Sequence, residues 1–540
     1  MIKSQNNIKI LDCTLRDGGY YNNWDFSKNL ISKYLKSMSS SGVEFVEIGF
    51  RSFEKNTYKG PCAYTQDNFI NSLSIPANLK VAVMVNASEL INYKNKNPIK
   101  NIKLLFKGQK KSRVKLVRIA CHYPELEKAI KVSTWLKKAG YKVAFNLMQI
   151  ADRTNEEIEN IGKISSQYPI DILYFADSMG SLDTSRILEI ISLLRKNWAG
   201  SLGIHTHDNM SRAVVNTQKA VENGVTWIDS TVTGMGRGPG NAKTEYLVIQ
   251  YKDLINRKVN LLPLLELIAD EFKPLQDKYN WGTNPFYFLA GKYGIHPTFI
   301  QGMLNDLRFG PIDVLSVIDH LRSVGGKKFN KNLLDIDKKM YSGKCTGSWV
   351  PKKKISNKEV IILGTGPGVL KHQALLEQYI IKKKPFVIGL NTQKSINEKL
   401  INIRATCSAF RLLTDRKRYK LLKQPLALPL KRLSKEIKTY LASNKLLDFG
   451  LQVVPGKFKF GSNYGILPNS LVISYALAIA TSGKAKKILL AGFDGYPADD
   501  PRRIEMDEVL SLYQTSNPKT KLISITPTRY RIDSTSIYAL

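Results

Sequence analysis

The sequence predicts an α/β protein with two parts, an amino-terminal (β/α)₈ barrel with a helical appendage and a carboxy-terminal Rossmann-like domain. The first observation is that short β-branched runs recur eight times before residue 250, each followed by a stretch able to form a helix. The runs start roughly 25 to 35 residues apart, which is the spacing of repeated βα units. The second observation is a new strand, glycine turn and helix pattern that begins at residue 359.

The eight runs are the strands of the predicted barrel, which we place at residues 1–250. Their sequences are IKILDC, VEFVEIGF, KVAVMVN, VKLVRIA, KVAFNLM, IDILYFAD, LGIHTH and TWIDSTV. Apolar runs of this kind are typical of parallel strands covered by helices, and closure into a cylinder is the economical arrangement of eight such units.

Three further segments follow the barrel. Residues 251–325 have helical apolar periodicity and are predicted to be a helical appendage of the barrel. Residues 326–358 are polar and basic and are predicted to be a linker. Residues 359–540 alternate strand and helix patterns, including EVIILGTGPGVLKHQALLEQYI and KKILLAGFD, and are predicted to be the Rossmann-like domain.

The chain is strongly basic, with 81 Lys+Arg against 45 Asp+Glu and a net charge of +36. Such a balance raises nucleic acid or an anionic membrane as a partner. The excess is spread along the chain without a recognisable nucleic-acid motif, so we expect no nucleic-acid partner. Neither a spanning apolar segment nor a signal peptide is recognised, and the five cysteines lack CxxC spacing. We therefore expect a cytoplasmic protein with reduced thiols.

A metal site is predicted at the carboxyl rim of the barrel. His205 and His207 lie two apart on strand seven, and side chains two apart on a strand point to the same side about 7 Å from each other. Barrel closure places strand eight between strands seven and one, which brings Asp17 and Asn241 to the same rim. This donor set suits Mg²⁺ or Mn²⁺, with Co²⁺ and Zn²⁺ left open. An isolated HxH pair could instead form local hydrogen bonds at a strand end.

The motifs LDCTLRDGG, HTHDN and GxGxxxGNA carry a resemblance to a known superfamily. From about Ile8 to Glu245 the chain resembles the metal-dependent aldolases, lyases and Claisen synthases that include 4-hydroxy-2-oxovalerate aldolase, 3-hydroxy-3-methylglutaryl-CoA lyase and isopropylmalate synthase. The helical segment after the barrel is most similar to the aldolase branch. The resemblance implies Asp17, His205 and His207 as metal ligands, with Asn241 as a fourth. It further implies a lyase that makes or cleaves a carbon-carbon bond of a 2-oxo acid through a metal-stabilised enolate, with an aldehyde as the second substrate.

By the same resemblance Arg16 binds the developing enolate oxygen. The aldolases carry a histidine base four residues after that arginine, where this chain has Tyr20. Tyr20 or the adjacent Tyr21 could act through its hydroxyl or position a water, and Tyr20 is the candidate for the proton step. The lyase branch uses a cysteine in its strand-eight loop, and GMGRGPGNAKTE contains none, which disfavours thioester cleavage of that type. Candidate substrate-binding residues at the rim are Glu47, Arg51, Arg118 and Ser178, for which a packing or salt-bridge role is the alternative.

The glycine turn GTGPG opens the second domain, where backbone amides could hold a phosphate. Pro367 and the missing third glycine argue against an ordinary NAD site. Residues 360–496 resemble bacterial sialyltransferase-like and flagellin-modification domains that bind nucleotide-activated sugars, although the transferases' catalytic histidine has no clear equivalent. The resemblance implies that a nucleotide lies near Gly364, Gly366, Asn391, Asn469, Ser470 and Asp494.

The fusion of the two domains suggests a role in surface-glycan or unusual-sugar biosynthesis, and a homo-oligomer is compatible with it. Two other functions stay open. One is an acyl-CoA-dependent Claisen-type synthase. The other is a metal-binding, non-catalytic barrel fused to a nucleotide-sugar-binding domain, which Tyr20 in place of the histidine base keeps open.

Overall fold

The computed structural model describes residues 8–53, 58–94, 96–255, 257–304, 314–315, 317–318, 321–322, 345–408, 411–412, 415–433, 435–496, 501–517 and 519–540. The chain forms two compact units, one with a closed parallel barrel and one with a parallel open sheet. The predicted fold class is confirmed. The predicted end of the appendage and most of the predicted linker, 305–344, fall largely outside the described residues. None of the described helices has the length and apolar character needed to cross a membrane.

The eight predicted runs form the eight strands of the barrel, and each strand pairs in parallel with its neighbours until β8 meets β1. The strands are β1 Lys9–Asp12, β2 Phe45–Phe50, β3 Lys80–Asn86, β4 Val114–Cys121, β5 Lys142–Leu147, β6 Ile172–Asp177, β7 Ser201–Thr206 and β8 Trp227–Ser230. Because β8 lies between β7 and β1, the loops that follow these three strands meet at one part of the carboxyl rim.

Helices connect the strands and continue beyond them. The helices of the barrel region are α1 Thr14–Asp17, α2 Lys28–Ser40, α3 Asp67–Asn71, α4 Ala87–Asn92, α5 Pro98–Leu105, α6 Leu126–Ala129, α7 Val132–Lys138, α8 Asn155–Ser166, α9 Thr184–Arg195, α10 Ala213–Glu222 and α11 Thr244–Tyr251. The helices after the barrel are α12 Leu262–Leu267, α13 Lys273–Tyr279, α14 Pro285–Lys292 and α15 Pro297–Leu304.

Side chains that alternate along the strands fill the barrel in layers. The floor is an apolar cluster that includes Phe45, Leu116 and Trp227. Two residues further along the same three strands, buried and facing the same interior, are Glu47, Arg118 and Asp229. The barrel therefore has an apolar floor, a layer of buried charges above it, and the predicted metal-binding residues at the rim.

Helix α14 packs against part of that rim. A Cβ on Gly291 would lie 2.9 Å from the Asn209 side chain and 3.0 Å from the Gly180 carbonyl oxygen. The Tyr287 side chain, also on α14, packs against Gly238 in the loop after β8. The helical segment thus covers one side of the predicted site, and only small residues permit this close approach.

The second unit is built on an eight-stranded parallel sheet with the order β13-β12-β11-β10-β9-β17-β18-β19, and a three-stranded sheet with the order β14-β16-β15 lies in the same unit. Its strands are β9 Glu359–Leu363, β10 Phe386–Leu390, β11 Ile403–Ala405, β12 Leu426–Leu428, β13 Leu446–Asp448, β14 Gly450–Val453, β15 Lys459–Phe460, β16 Tyr464–Leu467, β17 Lys487–Ala491, β18 Lys521–Ser524 and β19 Asp533–Ser534. The strand order reverses direction at β9 and β17, which makes this pair the topological switch point.

The helices of the second unit are α16 Lys352–Ile355, α17 Pro367–Lys371, α18 Gln373–Lys383, α19 Arg416–Leu421, α20 Lys435–Tyr440, α21 Val472–Ser482 and α22 Pro501–Ser516. Helix α21 is buried along most of its length and leads into β17, so its amino terminus lies at the carboxyl edge of the sheet.

Candidate functional site: a metal centre at the barrel rim

Asp17, His205 and His207 come together at the carboxyl rim of the barrel. One ligand atom of each residue lies within 4.8 Å of the others, and the three side chains are buried. His205 Nε2 is 3.8 Å from Asp17 Oδ2. The one-turn helix α1 after β1 positions Asp17, and the alternation of β7 turns both histidines inward.

Asn241 joins this cluster from the loop after β8. It pairs with His207 in an isolated β-bridge, and its Nδ2 donates a hydrogen bond to Asp17 Oδ2. The four residues that the sequence predicts as metal ligands are therefore neighbours, although their positions span most of the barrel sequence.

Several buried polar atoms of the cluster have no hydrogen-bond partner among the described residues. They are both ring nitrogens of His207, Asn241 Oδ1 and Arg16 Nη2. Buried polar atoms are nearly always paired, so a group of unpaired ones indicates an absent ligand. Imidazole nitrogen, carboxylate oxygen and amide oxygen are donors that divalent cations accept, and the residues present therefore fit a metal ion.

The electrostatics of the site keep these donors in the form that binds a cation. Burial raises the pKa of Asp17, but the Arg16 guanidinium and the two histidines outweigh it, and the pKa lies well below its usual range. Burial, with positive charges that include Arg237 and Arg16, holds the pKa of His207 well below its usual value. The carboxylate is thus ionised and the His207 ring neutral at pH 7.

Below the cluster, Asp229 positions His205. His205 Nδ1 lies 2.9 Å from Asp229 Oδ2, and Arg118 Nη2 donates to the same oxygen at 2.6 Å. Arg118 holds Asp229 in the ionised state, so we assign the imidazole proton to Nδ1. The Nε2 lone pair then faces Asp17 and the metal-binding cluster.

The buried charges continue from Arg118 to the other side of the site. Arg118 Nη1 donates to Glu47 at 3.2 Å, and Glu47 accepts a second hydrogen bond from Arg16 Nε at 2.7 Å. Arg16 Nη1 reaches Asp17 at 2.6 Å. This alternating chain fixes the guanidinium of Arg16 beside the cluster and leaves its Nη2 available.

The candidate substrate-binding residues all have polar contacts within the chain. Glu47 and Arg118 are fully buried in the charged layer, beneath the metal-binding residues. Arg51 directs its donors to the carbonyl oxygens of Thr65 and Leu105 and to Asp67, contacts that join the β2 loop to its neighbours. Ser178 Oγ accepts a hydrogen bond from the Gln149 backbone at 2.9 Å.

Tyr20 lies at the rim and is 42% exposed. Its ring meets Trp24 edge-on at 4.9 Å, and the Arg237 guanidinium lies 5.5 Å from its ring centre. Trp24 Nε1 donates to the Arg16 backbone oxygen at 2.8 Å, which ties this aromatic pair to the segment that bears Asp17. Tyr20 is thus a partly exposed rim residue held between Trp24 and Arg237.

The sequence does not identify two side chains of the site, Asp229 and Arg237. Asp229 lies within a β-run that was recognised only as a strand, and Arg237 lies within a loop that was recognised only for its glycines and Asn241. Asp229 could have been found because it is a carboxylate at an inward position of a buried strand. A buried charge of this kind needs a partner.

The six residues predicted to lie near a nucleotide are all at the carboxyl edge of the second unit's sheet. Gly364 and Gly366 follow β9, Asn391 follows β10, Asp494 follows β17, and Asn469 and Ser470 precede α21. Asn469 Oδ1 accepts hydrogen bonds from Leu471 N and Ser474 Oγ, which fix the turn that precedes α21.

The glycine turn itself is occupied by a carboxylate of this chain. Asp494 Oδ2 accepts a hydrogen bond from Gly368 N at 3.2 Å, and a Cβ on Gly366 would collide with the same carboxylate. The Gly368 amide and the space beside Gly366 therefore face a carboxylate, which repels a phosphate at that point.

Comparisons with known proteins agree with this geometry. The HMGL-like family model matches residues 7–269. The chain is 26% identical over 356 residues to 4-hydroxy-2-oxovalerate aldolase of Geobacillus thermodenitrificans. This alignment covers 64% of this chain and 100% of the relative. The aldolase of the same name from Pelotomaculum thermopropionicum is 26% identical over 328 residues, with 59% and 93% covered.

One solved structure is more similar in sequence. It is the amino-terminal domain of a protein from Bacteroides vulgatus that is provisionally described as an aldolase, with 30% identity, a TM-score of 0.51, and coverage of 55% of this chain and 97% of that domain. The family match, this identity and the barrel geometry lead to one conclusion: the amino-terminal half of the chain belongs to the HMGL-like family of aldolases and lyases.

Proposed function

We propose that the barrel is a divalent-metal-dependent aldolase that makes or cleaves a carbon-carbon bond of a 2-oxo acid through an enolate. The observation that carries the proposal is the group of unpaired buried atoms on His207, Asn241 and Arg16, next to Asp17. The names of the curated relatives favour the same substrate class.

Asp17, His205, His207 and Asn241 would hold the cation, and Mg²⁺ or Mn²⁺ is the choice we favour. A bound divalent cation supplies positive charge that withdraws electrons from a keto oxygen and makes the neighbouring carbon acidic. Arg16 donates from Nη2 to the oxygen on which negative charge develops, and its contacts with Glu47 and Asp17 hold it in place beforehand.

We assign the proton step to Tyr20, either through its hydroxyl or through a water that it positions. It occupies the place of the relatives' histidine, and its partial exposure gives it access to bulk water. The chemistry of a phenol differs from that of an imidazole, so we expect a pH dependence unlike that of the histidine-containing aldolases.

The test is exchange of the C3 protons of pyruvate into D₂O, followed by proton NMR with Mg²⁺ or Mn²⁺ present. We expect exchange with the wild-type protein and its loss in His205→Ala and Asp17→Asn. Asp277→Asn, an exposed carboxylate on α13, is the control for Asp17→Asn and keeps exchange. Unchanged exchange in the ligand variants would reject the ligand assignment.

Wild-type protein that binds metal and exchanges neither pyruvate nor several other 2-oxo acids would contradict the aldolase proposal and leave the barrel as a binding module. Turnover that requires acetyl-CoA and releases a free thiol would instead identify a Claisen-type synthase.

For the second unit we propose nucleotide or nucleotide-sugar binding at the switch point between β9 and β17. Ligands of open parallel sheets bind at such a point, and the six predicted residues share that edge. Because Asp494 occupies the glycine turn, we place the phosphate nearer Asn391 and Ser470. This pairing of domains is our reason to propose a role in surface-glycan or unusual-sugar biosynthesis.

Calorimetry of the full chain with cytidine 5′-monophosphate tests the second proposal. We expect binding that Ser470→Ala or Asn391→Ala weakens. Asn517, whose side chain contacts Thr481 at the carboxyl end of α21, is the control, and Asn517→Ala should leave binding unchanged. Equal weak binding of cytidine and cytidine 5′-monophosphate would contradict a phosphate site.

A further inference from the structure

Arg237 is a charged residue of the rim that has no role in the mechanism above. It lies in the loop after β8, four residues before Asn241. A Cβ on the preceding Gly236 would collide with Asn241 and approach Asp17 Oδ2 to 3.0 Å. The following Gly238 packs against Tyr287, and its carbonyl oxygen accepts a hydrogen bond from Tyr21 at 3.3 Å. The loop is thus held between the metal-binding residues and the aromatic side chains that cover them.

The side chain of Arg237 is directed to Tyr20, with the guanidinium 5.5 Å from the ring centre. Its Nε is buried and has no hydrogen-bond partner, and Arg237 makes no ion pair with any residue that the structure describes. Every other arginine near the cluster differs in this respect, because Arg16 and Arg118 each contact two carboxylates. A contact with one aromatic face is a weak substitute for an anion.

The charge balance of the site points the same way. The buried network joins two arginines, Arg16 and Arg118, to three carboxylates, Asp17, Glu47 and Asp229, which leaves one negative charge. A divalent cation and the carboxylate of a 2-oxo acid bring this sum to zero. The positive charge of Arg237 then remains without a counterpart among the described residues.

We propose that Arg237 binds an anionic group, a carboxylate or a phosphate, on the aldehyde that the enolate attacks. This inference rests on the proposed aldolase function and names the class of its second substrate. Arg16 and the ligand cluster hold the 2-oxo acid, whereas Arg237 faces Tyr20, the part of the rim that is open to solvent. A guanidinium suits both anions because its paired N–H groups match their oxygens.

The reaction needs no further reactant. C3 of the 2-oxo acid loses a proton and its electron pair forms the new bond to the aldehyde carbon. The carbonyl π electrons move to the aldehyde oxygen, which takes up a proton. Cleavage is the reverse, and the anionic group is unchanged in either direction.

The experiment compares matched aldehydes in condensation with pyruvate. Succinic semialdehyde is paired with butanal, and glyceraldehyde 3-phosphate with glyceraldehyde, so that the two anions are tested separately. We expect the wild-type protein to favour at least one anionic member by 10-fold or more in kcat/KM. Arg237→Gln should reduce that ratio to near one, and Arg237→Lys should restore part of it. Arg212→Gln, an exposed arginine at the start of α10, is the matched control and should keep the wild-type ratio.

A second measurement is independent of turnover. Calorimetry with 4-hydroxybutanoate against 1,4-butanediol, and with glycerol 3-phosphate against glycerol, should show a 10-fold or greater loss of anion affinity in Arg237→Gln and no change for the neutral compounds. Selectivity and anion affinity that survive in Arg237→Gln would overturn the inference. Wild-type protein without pyruvate exchange, but with Arg237-dependent anion binding, would refute the aldolase function and keep the anion site.

Discussion

At the scale of single residues, the orientation of His205 depends on a carboxylate that never reaches the metal-binding cluster. Asp229 accepts from His205 Nδ1 at 2.9 Å and from Arg118 at 2.6 Å. Burial raises its pKa, but Arg118 and His205 overcome this effect and the pKa stays below its usual value. Asp229 is a positioning residue, since it acts on the metal through the histidine tautomer.

We predict that Asp229→Asn lowers the affinity for Mn²⁺ by about 10- to 100-fold, because an amide can offer its N–H to the histidine and favour the wrong tautomer. Calorimetric titration of the purified variant measures this, with Asp277→Asn as the control. A wild-type affinity in a variant that unfolds at the wild-type temperature would show that Asp229 has no positioning role.

Asp177, at the end of β6, provides a prediction about pH. Burial raises its pKa to about 7, despite hydrogen bonds from the Ser181, Leu182 and Gly180 amides. The folded state therefore binds a proton more tightly than the unfolded state, and between pH about 4 and about 7 the free energy of unfolding falls as pH rises, by up to about 4 kcal/mol. Asp177→Asn removes this contribution.

Thermal unfolding of Asp177→Asn and the wild-type protein at pH 5 and pH 7.5 tests this assignment. The loss of stability between the two pH values should be smaller in the variant. Equal losses would mean that Asp177 titrates in its usual range.

At the scale of secondary-structure elements, alternation along the strands explains both what the sequence predicts and what it leaves hidden. The β-branched runs and the HxH spacing are local patterns, so the strands and the convergence of His205 and His207 can be recognised from the sequence. The depth of a side chain depends on the register between strands that are distant in sequence. For that reason the sequence offers Glu47 and Arg118 as rim candidates without indicating that their side chains pair with each other in the buried layer.

The contacts of Arg51, in the loop after β2, are likewise not predictable from local sequence patterns. Its partners are carbonyl oxygens of Thr65 and Leu105, and no pattern in the residues around position 51 indicates them. Arg237 lies in a loop that the sequence does identify by its glycines and Asn241. The sequence does not show that the side chain of Arg237 is directed to Tyr20, because this depends on how Gly236 and Gly238 pack in the folded loop.

The loop after β8 provides the prediction at this scale. A methyl group on Gly236 would press on Asn241 and Asp17, so Gly236→Ala should weaken Mn²⁺ binding by at least about 10-fold, or about 1.4 kcal/mol. Gly108→Ala places its methyl group in open space and is the matched control. Equal Mn²⁺ affinities in the two variants would show that the loop moves away from the cluster without cost.

At the scale of the whole molecule, length and pattern were sufficient to predict two α/β units, and strand order confirms the parallel sheets of both. The net charge of +36 is a property of the whole surface and identifies no site by itself. The charges that matter for chemistry are the few buried ones in the barrel, and their partners come from different strands.

The proposed chemistry requires that Asp17, His205 and His207 together hold one divalent cation. The most direct measurement is electron spin-echo spectroscopy of the protein titrated with Mn²⁺, because the ion reports nitrogen nuclei in its coordination shell. We predict one tightly bound Mn²⁺ per chain with histidine nitrogen modulation that decreases in His207→Ala. Mn²⁺ bound without nitrogen modulation, or modulation unchanged in both histidine variants, would contradict this prediction.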